Sequence, residues 1–359
     1  MSISTFASAK SNTLGNEHFF RYTSGRWLWD EEKQLQERYK KFNVEELKWI
    51  GAESIGAKFC ISITKLDEGG YNKVFRLVMD NGSSVIARIP CPNAGPPFKT
   101  TASEVATMDF ARTILNISVP KVHSWSAVLD NPVEAEYILM EEACGTSLGD
   151  SWEDMGIHSK HKIVKDIVSM DQKLLSISFS RYGNIYFAKD SFAGCEKAEI
   201  SGYISEELKK EVEERFTIGP VVGHAFWRRD QSSMPMERGP WKTANDYLKA
   251  SANNQITWLS QYWDEMGHNA GCPIHFTEED LQSHMQDGEG FNEQADFWDR
   301  LEGFISRDGW TSNERYDEAL EMFAGIREEG LKQLTGEERS DFEKQSRWAQ
   351  RSTARADGS

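Results

Sequence analysis

From Cys60 the chain alternates apolar and polar side chains in short β-branched runs, Cys60–Leu66, Lys73–Met79 and Ser84–Ile89, and this period of two predicts strands with one buried face. Asp80-Asn81-Gly82 separates the second run from the third. Asn and Gly accept the positive φ of a tight hairpin, so these strands are expected to be antiparallel. Pro90, Pro92, Pro96 and Pro97 then end the strand pattern, and Thr101–Leu115 changes to a helical rhythm at Val105, Met108, Ala111 and Leu115. Two further strands are expected at Lys121–Val128 and Glu136–Met140. Beyond Gly145 the spacing reads as helical almost throughout: His161–Ser178 puts Ile163, Ile167, Met170, Leu174 and Ile177 on one face, and Ser205–Phe216, Thr243–Met266, Thr277–Met285 and Ser312–Leu334 resemble it. The expected class is α+β, a five-stranded antiparallel lobe with one helix followed by a mainly helical lobe. The corresponding boundaries are an N-terminal extension 1–45, the sheet lobe 46–145, the helical lobe 146–348 and a polar tail 349–359.

A length of 359 residues suits two lobes with a substantial core, and the 39% hydrophobic and 27% charged fractions are those of a globular chain. The formal net charge of −16 opposes a broad phosphate-backbone footprint and speaks against nucleic acid or an anionic membrane as the main partner. No apolar run approaches the roughly 18 residues of a membrane helix. Five cysteines, Cys60, Cys91, Cys144, Cys195 and Cys272, are scattered and never spaced as CxxC, which predicts neither a disulfide framework nor a zinc site and favours a reducing compartment. The first sixteen residues carry Lys10 as their only cation and lack the Arg-rich amphipathic pattern of a mitochondrial presequence. Among the twelve tryptophans, Trp27, Trp29, Trp227, Trp241, Trp258, Trp263 and Trp310 lie in or beside helical or capping stretches and read as core packing.

The chemistry-bearing pattern begins at Glu68-Gly69-Gly70-Tyr71-Asn72-Lys73, where paired glycines between two strands let backbone N–H groups approach phosphate oxygens. A plain Gly-Gly hairpin is the simpler reading of that turn taken alone. Nineteen residues past Gly69, Arg88 closes a strand with a cation, and sixteen further on Glu104 lies in the following helix. A glycine turn, a strand cation and a helical acid form the order by which kinase-type lobes hold α/β-phosphates, with Arg88 in place of the usual Lys. Glu104 has a second available role, because Thr101-x-x-Glu104 is a capping-box spacing. Glu141-Glu142-Ala143 ends an apolar strand in an exposed acidic turn, as expected of a hinge whose backbone pairs with adenine or of any interlobe linker.

Taken together, EGGYNKVF (Glu68–Phe75), VIARIP (Val85–Pro90), TTASEVATMDFAR (Thr100–Arg112) and YILMEEACGTSL (Tyr137–Leu148) resemble the N-lobe of the aminoglycoside phosphotransferase and choline-kinase-like group. More narrowly, FFRYTSGRWLWDEE (Phe19–Glu32), RGPWKTANDYL (Arg238–Leu248), CPIHFTEEDL (Cys272–Leu281) and GEERSDFEKQSRW (Gly336–Trp348) are similar to the altered-inheritance-of-mitochondria protein nine family. The resemblance implies a protein-kinase-like bilobal fold, mitochondrial localisation and ATP as ligand, with Gly69, Gly70, Tyr71, Asn72, Lys73, Arg88, Glu104, Glu141, Glu142 and Ala143 as its contacts. It also implies a catalytic His-x-Asp loop and an acidic metal turn. None of the eight histidines is followed at the second position by Asp, and the family text breaks near Ser260–Gln261, where that segment is expected. Asp246, Asp264 and Asp308 are the remaining acidic candidates. The expected function is therefore a degenerate nucleotide-binding protein without phosphotransfer and without a magnesium requirement. The alternatives are a truncated product with no independent function and a non-enzymatic interaction protein.

Overall fold

The computed structural model describes residues 15–202, 204–223, 226–227, 236–251, 253–254, 301 and 303–349. In chain order its elements are α1 (Glu17–Phe20), β1 (Arg26–Trp27), α2 (Glu31–Arg38), α3 (Val44–Ser54), β2 (Cys60–Glu68), β3 (Asn72–Met79), β4 (Ser84–Pro90), α4 (Lys99–Thr113), β5 (Val122–Ser126), β6 (Tyr137–Glu141), α5 (Leu148–Ser151) and α6 (Ile157–Leu175). These are followed by β7 (Ile177–Phe179), β8 (Asn184–Phe187), β9 (Glu196–Lys197), β10 (Ile200–Gly202), α7 (Glu206–Arg215), β11 (Phe216–Gly219), β12 (Trp310–Thr311), α8 (Tyr316–Gln333) and α9 (Gly336–Gln345). Contacts divide the chain into two compact units, Met1–Lys40 with Asp67–Tyr71 and Met285–Ser359, and Lys41–Leu66 with Asn72–His284.

The second unit carries the five-stranded antiparallel sheet that the alternation predicts, in the order β2-β3-β4-β6-β5. Strands β3 and β4 pair from Asn72↔Pro90 to Val78↔Ser84, and Gly82, at φ +82°, turns the chain between them. Because side chains alternate along a strand, Lys73, Phe75, Leu77 and Met79 of β3 share a face with Val85, Ala87 and Ile89 of β4, and all seven are fully buried. Helix α4 packs against a second, three-stranded sheet of order β8-β11-β9, with Ala106, Phe110 and Ile114 meeting Val212, Phe216 and Ile218.

Helix α4 begins two residues before the periodic stretch, so Thr101 lies inside its first turn rather than at the N-cap. The N-cap is Phe98, at φ +67° and with no side-chain acceptor of its own. Glu136, just ahead of β6 and buried, supplies the acceptors instead: its Oε1 takes the Phe98 N–H at 3.1 Å and its Oε2 takes the Thr101 hydroxyl at 2.6 Å. The negative charge sits where the helix dipole is positive.

The stretch after Gly145 is less helical than its spacing suggests, because β7 to β11 are strands of two to four residues, too short to register a period of two. The helix expected at Ser205–Phe216 stops at Arg215, and Phe216 enters β11 opposite Phe187 of β8. The helix expected at His161–Ser178 runs instead over Ile157–Leu175. Of the Thr243–Met266 stretch, residues 244–251 and 253–254 are helical. The join near 260–261, Thr277–Met285 and the tail after 349 lie outside the described residues.

The first unit brings together described segments that are far apart in the chain. Strand β1 pairs antiparallel with β12, Arg26 opposite Thr311 and Trp27 opposite Trp310. Leu28, Ile305 and Ala319 form its core with Trp29, Phe323 and Trp348, and the two indoles lie 4.8 Å apart between centroids. The N-terminal extension is thus built into the same unit as α8 and α9, which the boundaries at 45 and 348 do not anticipate. Replacing the cap acceptor tests the frame of the second unit: Glu136→Ala leaves a backbone N–H and a buried hydroxyl without their acceptor and is expected to lower stability by about 1–3 kcal/mol in urea denaturation. Glu136→Gln keeps an acceptor oxygen and loses less.

Candidate functional site

In the second unit, β4 and α4 bring together the strand cation and the helical acid. Arg88 pairs with Ile138 of β6 in the register, and its Nη1 donates to Glu104 Oε1 in a charge-assisted hydrogen bond. The ion pair is therefore the role Glu104 takes, and the capping-box role passes to Glu136. Both side chains are about a quarter exposed, at 28% and 27%. Burial pushes the Glu104 carboxyl above its usual range, and the adjacent Arg88 guanidinium opposes that rise.

Lys73 lies elsewhere. It is fully buried on the opposite face of the sheet from Arg88, since Lys73 pairs with Ile89 and Val74 with Arg88, and its Nζ sits 3.6 Å from Cys91 Sγ. At the strand end expected to form the hinge, the Glu141 backbone N–H donates to Lys121 O at 2.8 Å and its carboxylate accepts from the Lys121 N–H at 3.1 Å. The Glu142 carboxylate takes Arg76 Nε at 2.8 Å and the Ser84 hydroxyl at 2.5 Å, so hydrogen bonding holds it below the usual carboxylate range. Ala143 is exposed and, with Glu141 and Glu142, lines a cavity of about 490 Å³ bordered by the loop Asn116–Pro120.

Gly69, Gly70 and Tyr71 belong to the first unit. The two glycines are exposed with open space where a Cβ would stand, so the fold itself does not demand glycine there. That room suits the close approach of an anionic ligand to backbone N–H groups. The foot of the turn is fixed by buried Glu68, whose Oε2 accepts from the Thr23 N–H and hydroxyl, the latter at 2.8 Å. The turn borders a cavity of about 470 Å³ lined also by Tyr22, Trp27, Arg38 and Asp308. Arg38 lies over the Trp27 ring, 4.4 Å from its centroid, and Asp308 Oδ2 accepts from Trp27 Nε1 at 3.1 Å. Burial raises the Tyr22 phenol to about 12. Sequence reading missed this lining because Tyr22, Arg38 and Asp308 are brought together only by the pairing of two-residue strands far apart in the chain.

The acidic candidates have structural tasks where they are described. Asp246 and Thr243 form a reciprocal cap, Thr243 Oγ1 to Asp246 Oδ2 at 2.9 Å and Asp246 N–H to Thr243 Oγ1 at 3.1 Å. Asp308 holds Trp27 and, through Oδ1, the Trp310 N–H at 3.2 Å. Asp264 lies outside the described residues. Among the described residues there is no group of three or more His, Cys, Asp or Glu side chains placed to hold a metal ion. No described helix is long and apolar enough to cross a membrane.

No protein-family model matches the chain. Among curated proteins it is 41% identical over 186 residues to a subtelomeric hrmA-associated cluster protein of Aspergillus fumigatus, covering 52% of this chain and 34% of that protein. It is 33% identical over 262 residues to altered inheritance of mitochondria protein 9, mitochondrial, of Yarrowia lipolytica, covering 68% of this chain and 45% of that protein. The protein of the same name from Saccharomyces cerevisiae is 26% identical over 296 residues, covering 66% and 47%. The chain thus spans about half the length, or less, of the curated relatives it matches. These relatives support the altered-inheritance-of-mitochondria resemblance, and their names support mitochondrial localisation.

The Arg88–Glu104 pair makes a pH-dependent prediction. A carboxyl whose folded pKa is raised contributes stability below its unfolded pKa, near 4.5, and loses that contribution as pH rises through the folded value. Arg88→Met removes the opposing cation, so the variant is expected to lose roughly 1–3 kcal/mol at pH 7 and less at pH 5. Urea titrations at the two pH values check this, and Glu104→Gln in the Arg88→Met background is expected to abolish the difference.

Proposed function

We propose that this chain is a kinase-like, nucleotide-binding protein that holds ATP without transferring its phosphate. The observation that carries the reading is the Arg88–Glu104 pair, which ties the third strand in sequence of a five-stranded antiparallel sheet to the helix that follows it. A cation fixed in this way by a helical acid, on a lobe of this strand order, is the arrangement that positions a nucleotide's phosphates in kinase-type proteins. Phosphoryl transfer needs in addition a base for the acceptor hydroxyl and carboxylates for magnesium. The His-x-Asp pattern is missing from the sequence, and both described acidic candidates are committed to caps and turns. The bilobal arrangement belongs to this proposal, as does the absence of catalysis. The setting is mitochondrial, as the relatives' names support.

Thermal unfolding of the purified chain with millimolar ATP tests the reading. A nucleotide at about 100 times its dissociation constant adds roughly 2.7 kcal/mol of stability, which is visible as a rise in the midpoint. The rise is expected to be the same with and without magnesium and to disappear in Arg88→Ala. A midpoint indifferent to ATP refutes nucleotide binding, and a strict magnesium requirement refutes the degenerate reading.

A further inference from the structure

Helix α6 is 19 residues long and buries none of them. Ile157, Val164, Ile167, Val168, Met170 and Leu174 are all exposed, between 43% and 76%. At about 100° per residue these side chains, with Ile163, fall in one arc roughly 160° wide, whereas Lys162, Lys165, Asp166 and Lys173 occupy the other side. Lys173 Nζ donates to Asn116 O at 2.5 Å, which anchors the polar side of the helix to the loop after α4 and leaves the apolar arc outward. An apolar face of this size on a folded protein marks a contact surface.

Two charged residues interrupt that face, Lys160 and Asp171, and both fall at its centre. They are eleven residues apart, so they lie on one stripe, separated by about 20° of rotation and about 16 Å of rise. Neither makes a salt bridge among the described residues, and Lys160 Nζ lies 5.3 Å from the centroid of the Trp152 ring. Unlike charges placed symmetrically about the midpoint of an apolar stripe suit one arrangement in particular. In a two-fold contact, residue i of one copy meets residue j of the other and the reverse. An antiparallel α6–α6 contact centred between Lys165 and Asp166 therefore sets Lys160 of each copy against Asp171 of the other, with Val164 and Ile167 on either side of the axis. A parallel pairing in register sets Lys160 against Lys160 and Asp171 against Asp171 and is opposed.

We propose that α6 is a self-association surface through which two copies of this chain pair antiparallel, with two Lys160–Asp171 contacts fixing the register inside an apolar seam. The charges select orientation and register, and the apolar side chains provide the attraction.

Sedimentation equilibrium of the full chain, from below micromolar to tens of micromolar, is expected to show a monomer–dimer equilibrium. Lys160→Glu alone and Asp171→Lys alone each set two like-charged contacts across the axis and are expected to weaken the dimer roughly 10- to 100-fold. The double variant Lys160→Glu/Asp171→Lys restores opposite charges and is expected to dimerise as the parent does. An equimolar mixture of the two single variants is expected to form a heterodimer for the same reason. Neither Lys160 nor Asp171 is buried, so circular dichroism is expected to show the parental fold throughout. A chain that stays monomeric, assembly insensitive to both reversals, failure of the double variant to recover, or a monomer that partitions onto anionic phosphatidylglycerol vesicles through α6 would each overturn the proposal.

Discussion

The N-terminus of α4 carries unpaired backbone donors and a positive dipole end, and a carboxylate has to meet them. Two acids are available: Glu104, three residues past Thr101 on the helix itself, and Glu136, at the entry to β6. Because Phe98 rather than Thr101 is the N-cap, the helical acid lies too far along to fold back, and Glu136 takes both the Phe98 N–H and the Thr101 hydroxyl. Glu104 is then left on the flank of the helix that faces β4, where Arg88 meets it. The cap made from a distant strand thus releases the acid on which the candidate site depends. The same contact ties α4 to the start of β6, the strand that lies beside β4 in the sheet.

This division of labour explains which parts were legible in the sequence. Residues 60 to 141 alternate strongly, carry a glycine turn and are broken by prolines, so five strands and one helix could be read to within two or three residues at most ends. The Arg88–Glu104 spacing was legible too, but its outcome was not. The competing cap partner lies 35 residues beyond Thr101 in what reads as the beginning of a strand, and no local pattern announces that contact. The short strands β7 to β11 escaped for a different reason. Two to four residues do not make a period, and their stability comes from partners such as Phe216 opposite Phe187 rather than from their own alternation. Hardest of all was the pairing of β1 with β12, which joins segments far apart in the chain through two residues on each side.

Overall charge proved a poor guide to local chemistry. A chain of net charge −16 has an excess of acids, and the described arginines are mostly engaged by them: Arg76 with Glu142, Arg88 with Glu104, Arg215 with Asp109 and Arg26 with Glu31. Helix α6 departs from that average, with four lysines against two aspartates and an apolar arc that the fold does not cover. An average over 359 residues excludes a broad anionic partner without describing any one helix face.

The phosphate contact proposed at Arg88 falls on one of these engaged arginines. A phosphate that approaches this guanidinium competes with a carboxylate already hydrogen-bonded to it, so part of the interaction is offset by what Glu104 loses. That loss is smaller for an acid whose burial already favours the neutral form, because protonation removes the charge that needs Arg88. An anion at Arg88 and a proton at Glu104 are therefore linked through one side chain, each making the other more favourable. A Lys in place of Arg88 concentrates its charge on one nitrogen, whereas the planar guanidinium presents five donors in a fixed fork. With one nitrogen held by Glu104, the others keep their geometry, and a cation can serve as a structural tie and a ligand contact together.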